Sequence, residues 1–108
     1  MSTGIRSEKR LAARLGKRVP GSGCGYSGRK GDIDAGDVLV EAKSTENRSI
    51  SLKHAWLAKI AREALNAGKR PALTLSFVTG DGRSVPLGDW VCIPLIDWEE
   101  LRELDNDG

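Results

Sequence analysis

The sequence predicts an α/β domain with helices packed on a mixed sheet, in the order α-β-β-α-β-β-α. Three observations carry that expectation. Apolar residues recur at helical spacing in separate segments, short β-type apolar runs lie between them, and glycine and proline clusters punctuate the joins. With 108 residues, 39% hydrophobic and 30% charged, the chain is sized for one globular domain covering 1–108.

The first helix is expected over Ser7 to Leu15, where Ile5, Leu11, Ala12 and Leu15 share a face and Gly16 supplies a stop. Pro20 to Gly28, rich in glycine, reads as a loop. Asp32 to Thr45 reads as a β-hairpin turning at Ala35-Gly36, followed by the run Val38-Leu39-Val40-Glu41-Ala42-Lys43. A second helix is expected from Leu52 to Asn66, with Leu52, Trp56, Leu57, Ile60, Ala64 and Leu65 at core spacing and Gly68 and Pro71 closing it. Ala72 to Val78 is a buried strand, Gly80-Asp81-Gly82 a turn, and Trp90 to Pro94 a further strand. Asp97 is placed as N-cap of a last helix running to Leu104.

Composition excludes several classes. No apolar stretch approaches the ~20 residues of a membrane-spanning helix, and no charged-then-apolar leader opens the sequence. Cys24 and Cys92 lack zinc-site spacing, and a cytoplasmic location with reduced thiols is expected. Neither GxGxxG nor GxxxxGK[ST] is present, so no nucleotide cofactor is expected. The net charge of +2 conceals an asymmetry: residues 1–30 carry eight Lys and Arg against Glu8 alone, while residues 97–108 carry six acids against one Arg. A basic front two-thirds interrupted by Asp32, Asp34 and Asp37 suits a polyanion approaching a cation site.

In the expected hairpin, Ile33 faces Val38, Asp32 faces Leu39, and the apolar Ile33, Val38, Val40 and Ala42 share one side. The other side holds Asp32, Glu41 and Lys43, with Asp32 and Glu41 as diagonal neighbours at roughly 7–8 Å. Two carboxylates so placed can share one divalent cation, Mg²⁺ or Mn²⁺, because hard cations take oxygen ligands. Such a cation beside Lys43 suits hydrolysis of a phosphodiester. The same residues also read as a solvated polar hairpin face.

Gly31-Asp32-Ile33 followed by Val38-Leu39-Val40-Glu41-Ala42-Lys43-Ser44-Thr45 resembles the core motif of the PD-(D/E)xK nucleases, with glycine where the motif name has proline. Over about residues 4–78 the chain is similar to the small archaeal-type and phage-type Holliday junction resolvases. Gly4-x-x-x-Glu8 in the first helix, Arg18-x-x-Gly21-Ser22 before the acidic strand, and the passage Gly68-Lys69-Arg70-Pro71-Ala72-Leu73 add to the likeness. The resemblance implies a restriction-endonuclease-like core that resolves four-way DNA junctions as a homodimer. It implies Asp32, Glu41 and the Ala42 backbone carbonyl as metal ligands, Lys43 as catalytic lysine, and Glu8 as an outer or second-metal carboxylate. Arg18 and Ser22 would touch the DNA backbone, and Lys9, Arg10, Arg29 and Lys30 belong to the same basic region. Phage-type likeness leaves a viral source open. The alternatives are a general restriction-like or repair nuclease and a non-catalytic DNA-binding protein on this scaffold.

Other residues have plainer expected roles. Asp34 and Asp37 suit turn geometry, and Glu8 suits the start of a helix. His54 is expected to face solvent, Lys53 to be solvated near the helix start, Trp56 and Leu57 to make core or dimer contacts, and Trp90 and Trp98 to sit in the core.

Overall fold

Gly36 sets the register of the hairpin. The computed structural model describes residues 3–18 and 31–107, with side chains for 3–17 and 31–104. Within it, β2 (Ile33–Asp34) pairs antiparallel with β3 (Val38–Thr45), matching Ile33 with Val40 and Asp34 with Leu39. The two-residue loop is therefore Gly36-Asp37, closed by Ala35 N–H on the Val38 carbonyl at 2.9 Å. The expected loop, Ala35-Gly36, is corrected by one position and every strand pairing by two. Gly36 takes φ +88° at the first loop position, where the tight turns that match strand twist need positive φ. The Asp34 carboxylate reinforces that turn by accepting the Gly36 N–H at 3.0 Å. A shift of two preserves the faces, so Ile33, Val40 and Ala42 still share one side.

The complete order is α1 (Thr3–Leu15), β1 (Lys17–Arg18), β2, β3, α2 (His54–Asn66), β4 (Arg70–Val78), β5 (Ser84–Cys92) and α3 (Leu95–Asp107). It is the expected α/β order with the two-residue β1 added. The strands form one mixed sheet in the order β1-β2-β3-β4-β5, parallel only between β3 and β4, where α2 makes the crossover. Burial on both faces explains why β4 reads as a near-continuous apolar run.

The helices cover opposite faces of that sheet. Leu11 and Ala12 of α1 pack with Ile33, Val40 and Ala72, whereas Ile60 and Ala64 of α2 pack with Leu39. Strand alternation therefore sends Glu41 and Lys43 toward α2. α1 is tied down through its middle by Arg10, whose Nη1 and Nη2 each donate to the Asp89 carboxylate at 2.8 Å while Nε reaches the Gly82 carbonyl at 3.2 Å. Ser7 is fully buried there, and a Cβ on Gly82 (φ +85°) would stand 2.6 Å from Arg6 Cβ. α2 ends through Gly68 in the left-handed region (φ +69°): Gly68 N–H bonds the Leu65 carbonyl and Lys69 N–H the Ala64 carbonyl, at 3.1 and 2.8 Å.

Several boundaries and burials differ from expectation. α1 begins four residues earlier, α2 begins at His54 with Leu52 outside it and exposed, and Leu65 faces solvent. β5 starts at Ser84, six residues before Trp90. α3 begins directly after Pro94, so Asp97 lies in its first turn and is not the cap; with Glu100 it receives Arg70 Nη1, at 2.9 and 2.5 Å. Trp90 and Trp98, expected in the core, are 58% and 47% exposed. Leu95, Ile96, Leu101 and Leu104 of α3 are exposed as well, because no described element covers that helix. Between Ser76 and Val78 the β4–β5 ladder slips, and β5 bulges through Pro86 and Leu87, the latter at φ +54°.

Candidate active site

The acidic strand enters the site through a glycine. Gly31 holds φ +85°, and a Cβ there would press 2.7 Å from Leu39 Cγ, so this turn requires glycine for both reasons. The next residue, Asp32, donates its N–H to the Val40 carbonyl at 2.8 Å, although Val40 is already the partner of Ile33. Two residues against one is a bulge, a device that re-aims a side chain. Here it lays the Asp32 carboxylate over the β3 backbone, where Oδ2 accepts the Ala42 N–H at 2.8 Å.

Glu41, one residue before, points to the α2 face with its side chain 13% exposed. Lys43 Nζ stands 3.6 Å from Glu41 Oε1 and 4.6 Å from the centre of the Trp56 ring, giving the ammonium a carboxylate on one side and an aromatic face on the other. Lys53 Nζ approaches the same ring at 5.8 Å. Burial first, and then the negative charge of Asp32, push the Glu41 carboxyl from an ordinary 4.5 up to about 7. Glu63 adds to the rise, while Lys43 and Lys59 oppose it.

That donor set fits a hard divalent cation. The Asp32 carboxylate lies on the amide of the residue that follows Glu41, and a cation held by both would offset the burial and the mutual repulsion that raise Glu41. Among the described residues no three His, Cys, Asp or Glu side chains gather as a metal-holding group. Glu8 belongs to α1, on the face of Val40 and Ala42, across the sheet from Glu41.

The expected DNA contacts divide three ways. Lys9 is exposed on α1. Arg10 is engaged with Asp89 and Gly82, bonds with which any phosphate must compete. Ser22, Arg29, Lys30 and the Arg18 side chain, like Cys24, lie outside the described residues. His54 is exposed, as expected, and Cys92 is a free thiol. On the other flank of α2, Leu57, Ala61, Leu73, Ile93 and Pro94 line an apolar groove of about 280 Å³. It carries no carboxylate and is separate from the Asp32–Glu41 pair.

Sequence reading missed Glu63, Lys59 and the aromatic seat of Lys43, because all three depend on how α2 docks on β3. No family model, curated protein or solved structure matches this chain.

Proposed function

We propose that the chain is a metal-dependent DNA endonuclease of the PD-(D/E)xK kind, selective for branched DNA and acting on four-way junctions. The observation that carries this reading is the convergence of Asp32, Glu41 and Lys43, with Glu41 half-buried and 3.6 Å from the lysine. A polar hairpin face with no partner has no reason to bury a carboxylate beside a second one; a cation site does.

In this reading Asp32 and Glu41 hold Mg²⁺ or Mn²⁺, together with the Ala42 carbonyl. The cation supplies polarisation of the scissile phosphate and a water acidified for attack. Lys43, oriented by Glu41 and Trp56, donates hydrogen bonds to the attacking water or to the phosphate oxygens as negative charge builds there. Asp32 is itself held by the Ala42 amide, so the ligand pair is preorganised by the strand. The reading assigns no step to Glu8. Lys9, Lys53 and the basic residues of 18–30 meet phosphates, which makes binding steeply salt-dependent and shape-directed. Cutting two opposed strands needs two sites, and the exposed apolar residues of α3 and β5 support a homodimer.

The test compares a labelled four-way junction with a matched duplex and single strands, in Mg²⁺ and in EDTA, using wild type and Lys43→Ala. Paired nicks in the junction alone, lost in EDTA and in the variant, are expected. Cutting of every substrate would favour a general nuclease. Tight junction binding with no cleavage in Mg²⁺, or in Mn²⁺ put in its place, would sink the enzymatic reading.

A further inference from the structure

α2 carries a charged group that the proposed chemistry does not use. Glu63 is 9% exposed, and neither of its carboxylate oxygens has a hydrogen-bond partner. Lys59 Nζ, one helical turn back, lies 3.8 Å from Oε1, beyond hydrogen-bond range, on a side chain that is itself 56% exposed. A carboxylate withdrawn from water without donors is strongly unfavourable, and natural structures retain such a group mainly where something else satisfies it.

The packing of α2 shows what lies beside it. Lys43 sits on Trp56 and Leu39 packs with Ile60 and Ala64, so α2 runs antiparallel to β3. The flank bearing Leu57 and Ala61 looks toward β4 and β5. The opposite flank, bearing Trp56, Lys59 and Glu63, therefore looks toward Glu41 and the β2–β3 pair. Helical side chains lean toward the N-terminus of their helix, which tips Glu63 from its place opposite Leu39 toward Glu41. The electrostatics agree: Glu63 and Lys59 both act on Glu41, with opposite signs.

We infer that Glu63 is a positioning residue of the Asp32–Glu41 cation site, accepting hydrogen bonds from the hydration water of the bound cation. The chemistry is complementary. Mg²⁺ keeps several of its waters when bound by one or two carboxylates, and those waters are strong donors. Glu63 has two acceptors and no donor. Because three carboxylates do not close on one point, Glu63 acts through water and not as a direct ligand. Lys59 holds the carboxylate loosely when the cation is absent. Partners of this outer kind typically change metal affinity by about 10–100-fold when removed.

This inference rests on the proposed cation site, and its test separates the two. Mn²⁺ binding is measured by calorimetry, without DNA, on wild type, Asp32→Asn and Glu63→Gln, with circular dichroism confirming each fold. The rise in melting temperature that Mn²⁺ produces in each variant gives a second measure, one that a general loss of stability leaves largely unmoved. The expected result is loss of binding in Asp32→Asn and at least about a tenfold weakening in Glu63→Gln, whose metal-free form melts no lower than wild type. Should Glu63→Gln bind Mn²⁺ as wild type does and melt lower, Glu63 is a structural partner of Lys59 and the inference fails alone. Should wild type bind no Mn²⁺, or Asp32→Asn bind it equally well, the cation site itself fails and Glu63 loses its role with it.

Discussion

Replacing Glu41 with glutamine should make the metal-free protein more stable at alkaline pH, an unusual outcome for a substitution at a half-buried position. The reason is the displaced ionisation of this carboxyl, from 4.5 to about 7. Below the ordinary value both folded and unfolded chains carry the proton, and no stability is lost. As pH rises through the window between the two values, the unfolded chain ionises while the folded one still holds its proton, so folding is progressively disfavoured. Above about 7 the folded carboxyl must ionise in place; at ~1.4 kcal/mol per pH unit the gap sets an upper bound of about 3 kcal/mol, which solvent screening of this partly exposed group cuts to about 2 kcal/mol. Glutamine keeps the shape and removes the charge. Urea unfolding in EDTA should find wild type and Glu41→Gln within ~0.5 kcal/mol near pH 4.5. Near pH 8 the variant should be more stable by about 2 kcal/mol, or on the order of 10 °C in melting temperature. A variant no more stable than wild type near pH 8, or a gap that does not widen across the window, would refute the reasoning.

Three other outcomes are expected. Mn²⁺ affinity should fall with decreasing pH below about 7, by up to roughly tenfold per pH unit, because the cation must displace the Glu41 proton; calorimetry across pH reads this directly. Asp89→Asn should cost about 2–3 kcal/mol in urea unfolding at neutral pH, since it breaks the paired bonds to Arg10. The Arg10 guanidinium holds the Asp89 carboxyl below the ordinary range, so that stabilisation is present above the ordinary carboxylate value and should fade as acid brings the pH through the lowered one. Gly82→Ala should cost about 2 kcal/mol or more, because it combines a left-handed backbone with a methyl 2.6 Å from Arg6 Cβ; thermal melting should show α1 loosened from the β4–β5 turn.

The candidate site was legible in sequence as far as strand alternation reaches. Asp32, Glu41 and Lys43 are separable from Ile33, Val40 and Ala42 by parity alone, and parity survives the error of two in pairing that Gly36 introduces. The bulge at Asp32 was not legible, since it follows from Gly31 φ and the double use of the Val40 carbonyl. Glu63 reads in sequence as one more helical charge, and only the antiparallel docking of α2 on β3 gives it a place. Arg10 looked like a phosphate ligand because its partner, Asp89, lies 79 residues away. The tryptophans misled in the opposite direction: size and hydrophobicity argue for burial, but Trp90 lies on the last strand of the sheet and Trp98 on a helix that nothing described covers.

That last strand has a consequence for how copies of the chain meet in concentrated solution. Among the described strands β5 has β4 on one side only, and it exposes Val85, Leu87 and Val91, the profile of a template onto which a stray strand could zip. Pro86 removes one of the amides such zippering would use, and the left-handed turn at Leu87 throws the backbone out of line. The edge is thereby blunted without a single charge in the stretch from Val85 to Gly88. The chain can thus keep a sticky surface for side chains while denying a ladder to backbones, which separates specific association from fibre growth.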